Sequence, residues 1–197
     1  MNCKEVSFME KTHKLTTKKI VLVALMAALV AVGSALRVKI PVDIGGNSAF
    51  HLGNIFCALS GILLGHWLGG LAAGLGSALH DIVFDPSYIS ECWLTFLMKG
   101  AYGLASGLII CCGKKEWGYV KSILATLTGA ITYAVLYLAK SYIKAMVVQG
   151  VAADAAWLAV IGKLPATIFN AVVAIIFAPI LAVALDKALK KNHLTLD

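Results

Sequence analysis

The feature that most constrains the fold is a succession of long apolar segments that fills most of the 197-residue chain. The first runs from Ile20 to Leu36 without a charge before Arg37. Only 14% of the residues are charged and 60% are hydrophobic, which lies outside the usual composition of soluble domains. Because each membrane-spanning helix needs roughly 20 apolar residues, there is room for about six spans and for no separate soluble domain. We therefore expect an all-α integral membrane bundle of six transmembrane helices.

The apolar segments define one membrane domain between two polar tails. We expect a tail over residues 1–19, a six-helix domain over 20–190 and a second tail over 191–197. The predicted spans are 20–36, 49–64, 67–79, 92–112, 119–148 and 163–189. At ~1.5 Å per residue, the second and third are too short to cross a ~30 Å hydrocarbon core without thinning it or being enclosed by other helices.

Glycine and proline mark the irregular parts of this plan. Pro41, Gly45 and Gly46 predict an extended loop after the first span. Pro165 and Pro179 lie in the sixth span. Since proline removes a helical hydrogen bond, we expect a helix start or a kink near the first and a distortion near the second.

Basic residues predict the orientation. With six spans, most of them fall on one side of the membrane: Lys4, Lys11, Lys14, Lys18, Lys19, Lys114, Lys115, Lys121, Lys187, Lys190 and Lys191. The opposite loops carry only Arg37 and Lys39 as fixed cations, so the positive-inside rule places both termini in the cytoplasm. Orientation therefore explains the net charge of +7, and we do not expect a nucleic-acid partner.

Polar residues within the last three spans suggest a pocket, because an ionisable residue at the centre of a span costs roughly 2.5 to 3.5 kcal/mol on insertion scales. One stripe of the fifth span contains Thr126, Gly129, Tyr133, Tyr137, Lys140 and Lys144. Lys163, Thr167 and Asn170 share a face of the sixth span, and Lys99 shares one with Thr95 in the fourth. We expect these three faces to line one cavity on the outer side.

The lysines also have explanations that involve no ligand. Lys140 and Lys144 lie near a helix end, where they would snorkel to the lipid headgroups. A buried ammonium needs a partner, so Lys99 would equally well form a salt bridge with Asp81 or Glu91. The pattern leaves both interpretations open for each lysine.

The same holds for the aromatic and amide residues. Tyr133, Tyr137 and Trp93 are also typical of the interfacial aromatic belt. His51 and Asn54 open the second span, where they would satisfy a helix start as well as contact a ligand. The coincidence of polar faces, and no single residue, favours the pocket.

No motif indicates catalysis, a metal site or a bound cofactor. The five cysteines lack C-x-x-C spacing and are interpreted as apolar fillers. There is no P-loop, so active transport would need an ATP-hydrolysing partner. We expect neither an enzyme nor a cofactor or metal. The alternatives are a self-sufficient channel or secondary carrier and, as a further one, an intramembrane enzyme using His80, Asp81 and Asp85.

Small residues recur every four positions in the first span. Ala24 and Ala28 form one register, and Ala27, Ala31 and Ala35 form another. Such spacing lets helix backbones approach closely in lipid. The spacing alone leaves open whether the partner is another helix of this chain or another protein.

The order of these features along the chain resembles one family. The features are, in chain order, AL-x-x-AL at residues 24–29, Lys39-Ile40-Pro41, His51-Leu52-Gly53-Asn54, the glycine-rich hairpin 61–76, the Asp81 region, Lys99-Gly100 with Gly103 and Gly107, and Lys163-Leu164-Pro165 through Lys190. Together they resemble the substrate-binding S-components of energy-coupling factor (ECF) transporters. The resemblance extends over nearly the whole chain.

The resemblance implies a prokaryotic cell-membrane subunit that binds a vitamin or related micronutrient from outside. It implies docking on a membrane coupling subunit that carries two ATPases, through the face with Ala24, Ala28 and Ala31. It also implies a pocket built from the first loop and the last three helices. With the other polar candidates, the expected substrate-binding residues are His51, Asn54, Asp81, Trp93, Lys99, Tyr133, Tyr137, Lys140, Lys144, Lys163 and Asn170.

Only the charges of the candidate pocket residues indicate the chemical class of the ligand. Lys140 and Lys144 favour a vitamin with a carboxylate, and pantothenate is the candidate. Asp81, Asp85 and Glu91 permit the opposite, a cationic or hydroxyl-rich ligand.

Overall fold

A computed structural model describes residues 17–40, 48–112 and 118–191. Its elements are α1 (Thr17–Ala35), β1 (Arg37–Ile40), β2 (Ser48–His51), α2 (Gly53–Val83), a 3-10 helix (Pro86–Glu91), α3 (Cys92–Cys111), α4 (Tyr119–Ile143), a π-helical turn (Lys144–Val148) and α5 (Ala153–Lys191). Most of the predicted tails, the loop with Pro41, Gly45 and Gly46, and the loop with Lys114 and Lys115 lie outside the described residues.

The helices have the length and surface of membrane spans. Among the described residues, five helical segments are long and apolar enough to cross a bilayer. Their outer faces carry large exposed apolar side chains, such as Leu25, Trp67, Val135 and Phe177. In water such a surface would be costly, whereas lipid chains solvate it. The prediction of an all-α integral membrane bundle is confirmed.

Helix α2 reverses direction at Gly65, where φ is 78° and ψ is −174°. The Ser60 hydroxyl donates to the Gly69 carbonyl over 2.9 Å, although nine residues of straight helix would span ~13.5 Å. The stretches 53–64 and 66–83 therefore lie side by side. They correspond to the two short predicted segments, 49–64 and 67–79. The first stretch begins only at Gly53 because Ala49 belongs to β2, and the second continues to Val83.

Glycines permit this hairpin to pack tightly against α3. A Cβ on Gly61 would lie 2.3 Å from the Gly103 carbonyl oxygen, and one on Gly107 would lie 2.4 Å from the His66 nitrogen. Helix α1 approaches as closely, since a Cβ on Gly76 would lie 2.3 Å from the Ala27 oxygen. The small residues of these helices bring backbones together where apolar burial drives no association in lipid.

The loop predicted to be extended includes a two-stranded antiparallel hairpin. Arg37 of β1 lies opposite His51 of β2, and Val38 lies opposite Phe50. The Phe50 ring packs edge-on against Phe169 of α5, with ring centroids 4.6 Å apart. This contact places the hairpin against one end of the helix bundle.

Helix α5 begins at Ala153, ten positions before the predicted start at Lys163. The expectation that a helix starts near Pro165 is therefore wrong, because Pro165 and Pro179 both lie inside one helix. An interior proline removes a single backbone hydrogen bond, and the apolar residues ahead of Pro165 continue the helix. Lys163 consequently projects from the middle of a helix toward the protein interior, where it is 5% exposed.

Candidate functional site

A cavity opens at the end of the bundle that carries the β1–β2 hairpin. It offers about 160 Å³ to the centres of water-sized molecules, which is ample for several waters or part of an organic ligand. All five helices, the hairpin and the 3-10 helix contribute to its wall. The sequence-predicted residues in that wall are His51, Asp81, Lys99, Tyr133, Tyr137, Lys140, Lys144, Lys163 and Asn170.

Stacked tyrosines form one side of the cavity. The rings of Tyr133 and Tyr137, one helical turn apart on α4, have centroids 5.6 Å apart, and Tyr102 of α3 stacks on Tyr133 at 6.0 Å. The Lys99 ammonium lies 4.1 Å from the Tyr133 centroid, and the Lys163 ammonium lies 5.6 Å from that of Tyr137. The wall is thus aromatic and has a lysine near each end.

Lysines dominate the end of the cavity near the π-helical turn. Lys140 and Lys144 each place Nζ 2.5 Å from one oxygen of Glu91. The Lys163 ammonium donates to the Ser141 hydroxyl over 3.2 Å. Because the two lysines bind a carboxylate of the 3-10 helix, their ammonium groups face the cavity, which argues against snorkelling to the headgroups.

Lys99 is buried at the other end, with 4% of its surface exposed. Its ammonium donates to the side-chain oxygen of Asn54 and lies over the Tyr133 ring. No carboxylate in the described part of the chain lies within ion-pair distance of it. The alternative of a direct salt bridge to Asp81 or Glu91 is therefore wrong, although Asp81 is close enough to interact electrostatically with Lys99.

The Asn170 side chain of α5 attaches the hairpin over the cavity. Its amide nitrogen donates to the Ala49 carbonyl over 2.8 Å, and its oxygen accepts from the His51 backbone N–H over 2.9 Å. Tyr137 of α4 and Ser48 of β2 line the same cavity. Asn170 is therefore part of the wall and also holds β2 in position.

A second attachment joins β1 to the segment that follows α2. The Arg37 guanidinium forms an ion pair with Asp85, whose other oxygen accepts from the Ser87 hydroxyl over 2.5 Å. Sequence reasoning counted Arg37 only as a loop cation, because its partner lies 48 positions away. The hairpin is thus held from both of its strands.

His51 is neutral near pH 7. Burial lowers its pKa well below 6.5, and the positive charges of Lys99 and Arg37, with His80, lower it further. A charged imidazole here would face two cations without a carboxylate of its own. His51 is therefore available as a neutral hydrogen-bonding group.

Several buried polar atoms of the wall have no hydrogen-bond partner among the residues that the structure describes. They are Ser34 Oγ, His51 Nδ1, His80 Nε2 and Asp81 Oδ2. Such atoms are expensive to bury unsatisfied. Their clustering indicates that water or a polar ligand completes the site. Within the same described ranges, no group of three His, Cys, Asp or Glu residues is placed to hold a metal ion.

Two predicted pocket residues lie elsewhere. Trp93 is 59% exposed on the outer face of α3 and does not line the cavity. Asn54 is buried behind the wall, where it binds Lys99. The sequence placed both at helix starts, but the direction of a side chain there depends on packing with the neighbouring helices.

The predicted interface residues of α1 separate in the same way. Ala24 and Ala28 are exposed on one face of the helix. Ala31 is only 7% exposed and belongs to the interior. Its inclusion in an outward-facing interface is therefore corrected. Ala31 lies about two helical turns after Ala24 on nearly the same side of the helix, so packing of the neighbouring elements against this part of α1, and not helical phase, buries it.

Sequence reasoning missed part of the wall. The missed residues include Arg37, Ser48, Ser77, Tyr88 and Ser141, and the fully buried Tyr102 that supports Tyr133 from behind. Tyr102 lies three positions after Lys99 and thus on the same helical face, so the spacing in the sequence was sufficient to predict its place beside the pocket. Tyr88 and Ser77 could not be predicted, because only the tertiary packing determines which faces of their segments point inward.

The chain matches the family described as "ECF-type riboflavin transporter, S component" over residues 14–187. A protein of Pyrococcus woesei described as "Uncharacterized protein in gap 3'region" is 29% identical over 110 residues, which cover 56% of this chain and 70% of that protein. No solved structure gives a significant match.

Proposed function

Since the chain belongs to the family of ECF-type riboflavin transporter S components, we propose that it captures a vitamin or related micronutrient outside a prokaryotic cell for an ATP-driven importer. Membership confirms the resemblance inferred from sequence and makes the chain a multi-pass substrate-binding transporter subunit of a family that is not enzymatic. The identity of the ligand, the partners and the orientation are the substance of the proposal.

The observation that carries the proposal is a polar cavity inside an apolar bundle. Its wall holds charged and aromatic side chains from the hairpin, the 3-10 helix and α4 and charged side chains from α2, α3 and α5, and several of its buried polar atoms lack partners in the described part of the chain. Charged residues inside a membrane domain are costly and mark a functional site. A binding pocket explains why they are retained.

Riboflavin is the first candidate ligand. It is the vitamin in the family description, and its flat ring system suits the faces of Tyr133 and Tyr137. The polar groups around the cavity, including Ser48, Ser141 and Asn170, would bind its hydroxylated chain.

Pantothenate is the second candidate because of the lysine-rich end. Lys140 and Lys144 share one carboxylate, that of Glu91, and Lys163 lies close enough to interact electrostatically with all three. An excess of ammonium groups favours an anionic ligand. A carboxylate-bearing vitamin would occupy this end of the cavity.

We further propose six spans with both termini in the cytoplasm, the two stretches of α2 counting as separate spans. This arrangement puts the cavity and the hairpin on the outer side. Substrate would enter there, and the β1–β2 hairpin would close over it. The Ala24 and Ala28 face of α1 would dock on a coupling subunit that carries two ATPases.

The test is binding and flux measured on one preparation. Titration of the purified chain with riboflavin and with pantothenate should reveal saturable binding of one of them. Liposomes containing the chain alone should take up none of it, and uptake should appear only with the coupling subunit, the ATPases and ATP. Flux through the chain alone would contradict the proposal in favour of a channel or carrier, and chemical conversion of the ligand would favour an enzyme.

A further inference from the structure

The acidic side chains around the cavity are not equivalent. Glu91 binds Lys140 and Lys144 with its two oxygens. Asp85 binds Arg37 with one oxygen and the Ser87 hydroxyl with the other. Both of these carboxylates are therefore occupied by cationic or hydroxyl donors from the protein.

Asp81 differs because one of its oxygens has no such donor. Oδ1 contacts His80 Nδ1 at 3.1 Å, whereas Oδ2 is buried without a hydrogen-bond partner among the residues that the structure describes. The Asp81 side chain is 9% exposed, and the residue lines the cavity. A buried carboxylate oxygen without a partner is costly, so the molecule that fills the cavity should donate a hydrogen bond to it.

His80 offers a second atom of the same kind beside it. Its side chain is 4% exposed, its ring stacks on Phe84 with centroids 5.9 Å apart, and its Nε2 is likewise unpartnered in the described ranges. When Nδ1 of a neutral histidine donates to a carboxylate, Nε2 is left as an acceptor. Asp81 Oδ2 and His80 Nε2 then form a pair of acceptors in the wall.

The charges around this pair select against a cationic donor. Lys99 interacts electrostatically with Asp81, and Arg37 and Lys99 both act on the neighbouring His51. An ammonium group placed here would be repelled by Lys99, which already offsets the charge of Asp81, while the charge of Arg37 is offset by Asp85. A neutral N–H group satisfies the acceptors without that repulsion.

We infer that Asp81 and His80 form a subsite for the N–H edge of an uncharged amide or nitrogen heterocycle, opposite the lysine-rich end of the same pocket. The inference rests on the proposed function and narrows its ligand class. The ligand presents a neutral N–H edge to Asp81, places its ring or amide plane along Tyr133 and Tyr137, and directs its anionic or hydroxylated end toward Lys140, Lys144 and Lys163.

The experiment uses riboflavin and a riboflavin whose ring nitrogen N3 is methylated and therefore carries no N–H. Quenching of flavin fluorescence gives the Kd of each ligand for the wild-type chain, for Asp81→Leu, which removes the acceptor, and for a matched control, Asp154→Leu, whose aspartate is exposed at the start of α5.

One hydrogen bond to a carboxylate corresponds to a change in Kd of about tenfold or more. We expect N3 methylation to weaken wild-type binding by at least about that factor, Asp81→Leu to weaken riboflavin binding comparably, and methylation to matter little in Asp81→Leu. Asp154→Leu should behave like the wild type.

Several outcomes would overturn the inference. One is an unchanged Kd for riboflavin in Asp81→Leu. Another is a methylation penalty as large in Asp81→Leu as in the wild type, which would be steric. The methylation comparison on the wild-type chain needs no variant, so a poorly folding Asp81→Leu does not remove the test.

If only pantothenate binds, its amide N–H takes the same role, and an unchanged Kd in Asp81→Leu overturns the inference while the proposed function stands. If the wild type binds neither vitamin, the proposed ligands fail and the inference fails with them.

Discussion

At the residue scale, the arrangement of the site depends on which carboxylate each lysine or arginine side chain binds. Helical periodicity predicted that Tyr133, Tyr137, Lys140 and Lys144 share a face, and the structure brings all of them to the cavity. Periodicity cannot predict that Lys140 and Lys144 converge on Glu91, because that contact depends on how α4 packs beside the 3-10 helix. Long-range ion pairs are the part of the site that the sequence leaves undetermined.

The neutral state of His51 predicts how stability depends on pH. Because the pKa of folded His51 lies below 6.5, the unfolded chain takes up this proton first as the pH falls. The stability that neutral His51 contributes is complete above about pH 6.5 and is lost as the pH falls toward the lowered pKa. In detergent, the melting temperature of the wild type should therefore fall more between about pH 7.5 and 5.5 than that of His51→Gln. Equal falls would mean that folding does not lower the pKa of His51.

At the scale of helices and strands, the sequence defines most spans and misses their ends. The fifth predicted span, 119–148, coincides with α4 and its π-helical turn, and the fourth ends within one residue of α3. Apolar length and flanking charge were sufficient there. The predicted start of α5 is too late because Pro165 is typical of a helix start, whereas the apolar residues ahead of it already form helix. The β1–β2 hairpin was expected only as an extended loop, since its pairing depends on the bundle that it covers.

The close packing of α2 on α3 predicts unequal effects of the same substitution along α3. A Cβ on Gly107 would lie 2.4 Å from the His66 nitrogen, whereas one on Gly100 would lie 3.4 Å from the nearest atom, the Gly70 oxygen. Gly107→Ala should therefore force the helices apart and cost roughly 1–3 kcal/mol, and Gly100→Ala should be close to neutral. Thermal unfolding in one detergent compares them. A loss as large in Gly100→Ala as in Gly107→Ala would contradict this packing.

At the scale of the whole molecule, the chain is an apolar body with a polar cavity at one end and an alanine face on its first helix. Composition and hydropathy predicted the membrane bundle, and the order of weak motifs predicted the family. The ligand could not be predicted, because it depends on which polar atoms remain unpartnered once the helices have packed. That property appears only in three dimensions.

The proposed orientation predicts which cysteines are accessible from each side. Cys92 begins α3 and the exposed Cys111 ends it, so the two lie at opposite ends of one span. With both termini in the cytoplasm, a membrane-impermeant maleimide added to intact cells should modify a variant that retains only Cys92. A variant that retains only Cys111 should react only after permeabilisation. The reverse pattern would contradict the proposed orientation.

The face of α1 that carries Ala24 and Ala28 predicts that docking on the coupling subunit can be lost without loss of ligand binding. Ala24 and Ala28 are exposed and are not part of the cavity wall. Replacing both with leucine should prevent close approach of a partner helix and abolish co-purification with the coupling subunit, with ligand affinity unchanged. Ala139→Leu, at an exposed position of α4, is the matched control and should still dock. Loss of ligand binding in the double variant would show that the face supports the pocket instead.

The most direct measurement is mass spectrometry of the small molecules released on denaturing the chain after purification from cells grown in rich medium. A variant carrying both Tyr137→Ala and Lys140→Ala, which removes an aromatic and a cationic part of the cavity wall, is analysed beside it. We predict one vitamin-sized compound bound to the wild type and absent from the variant. The same compound in equal amounts on both chains, or none on either, would contradict a ligand pocket at this end of the bundle.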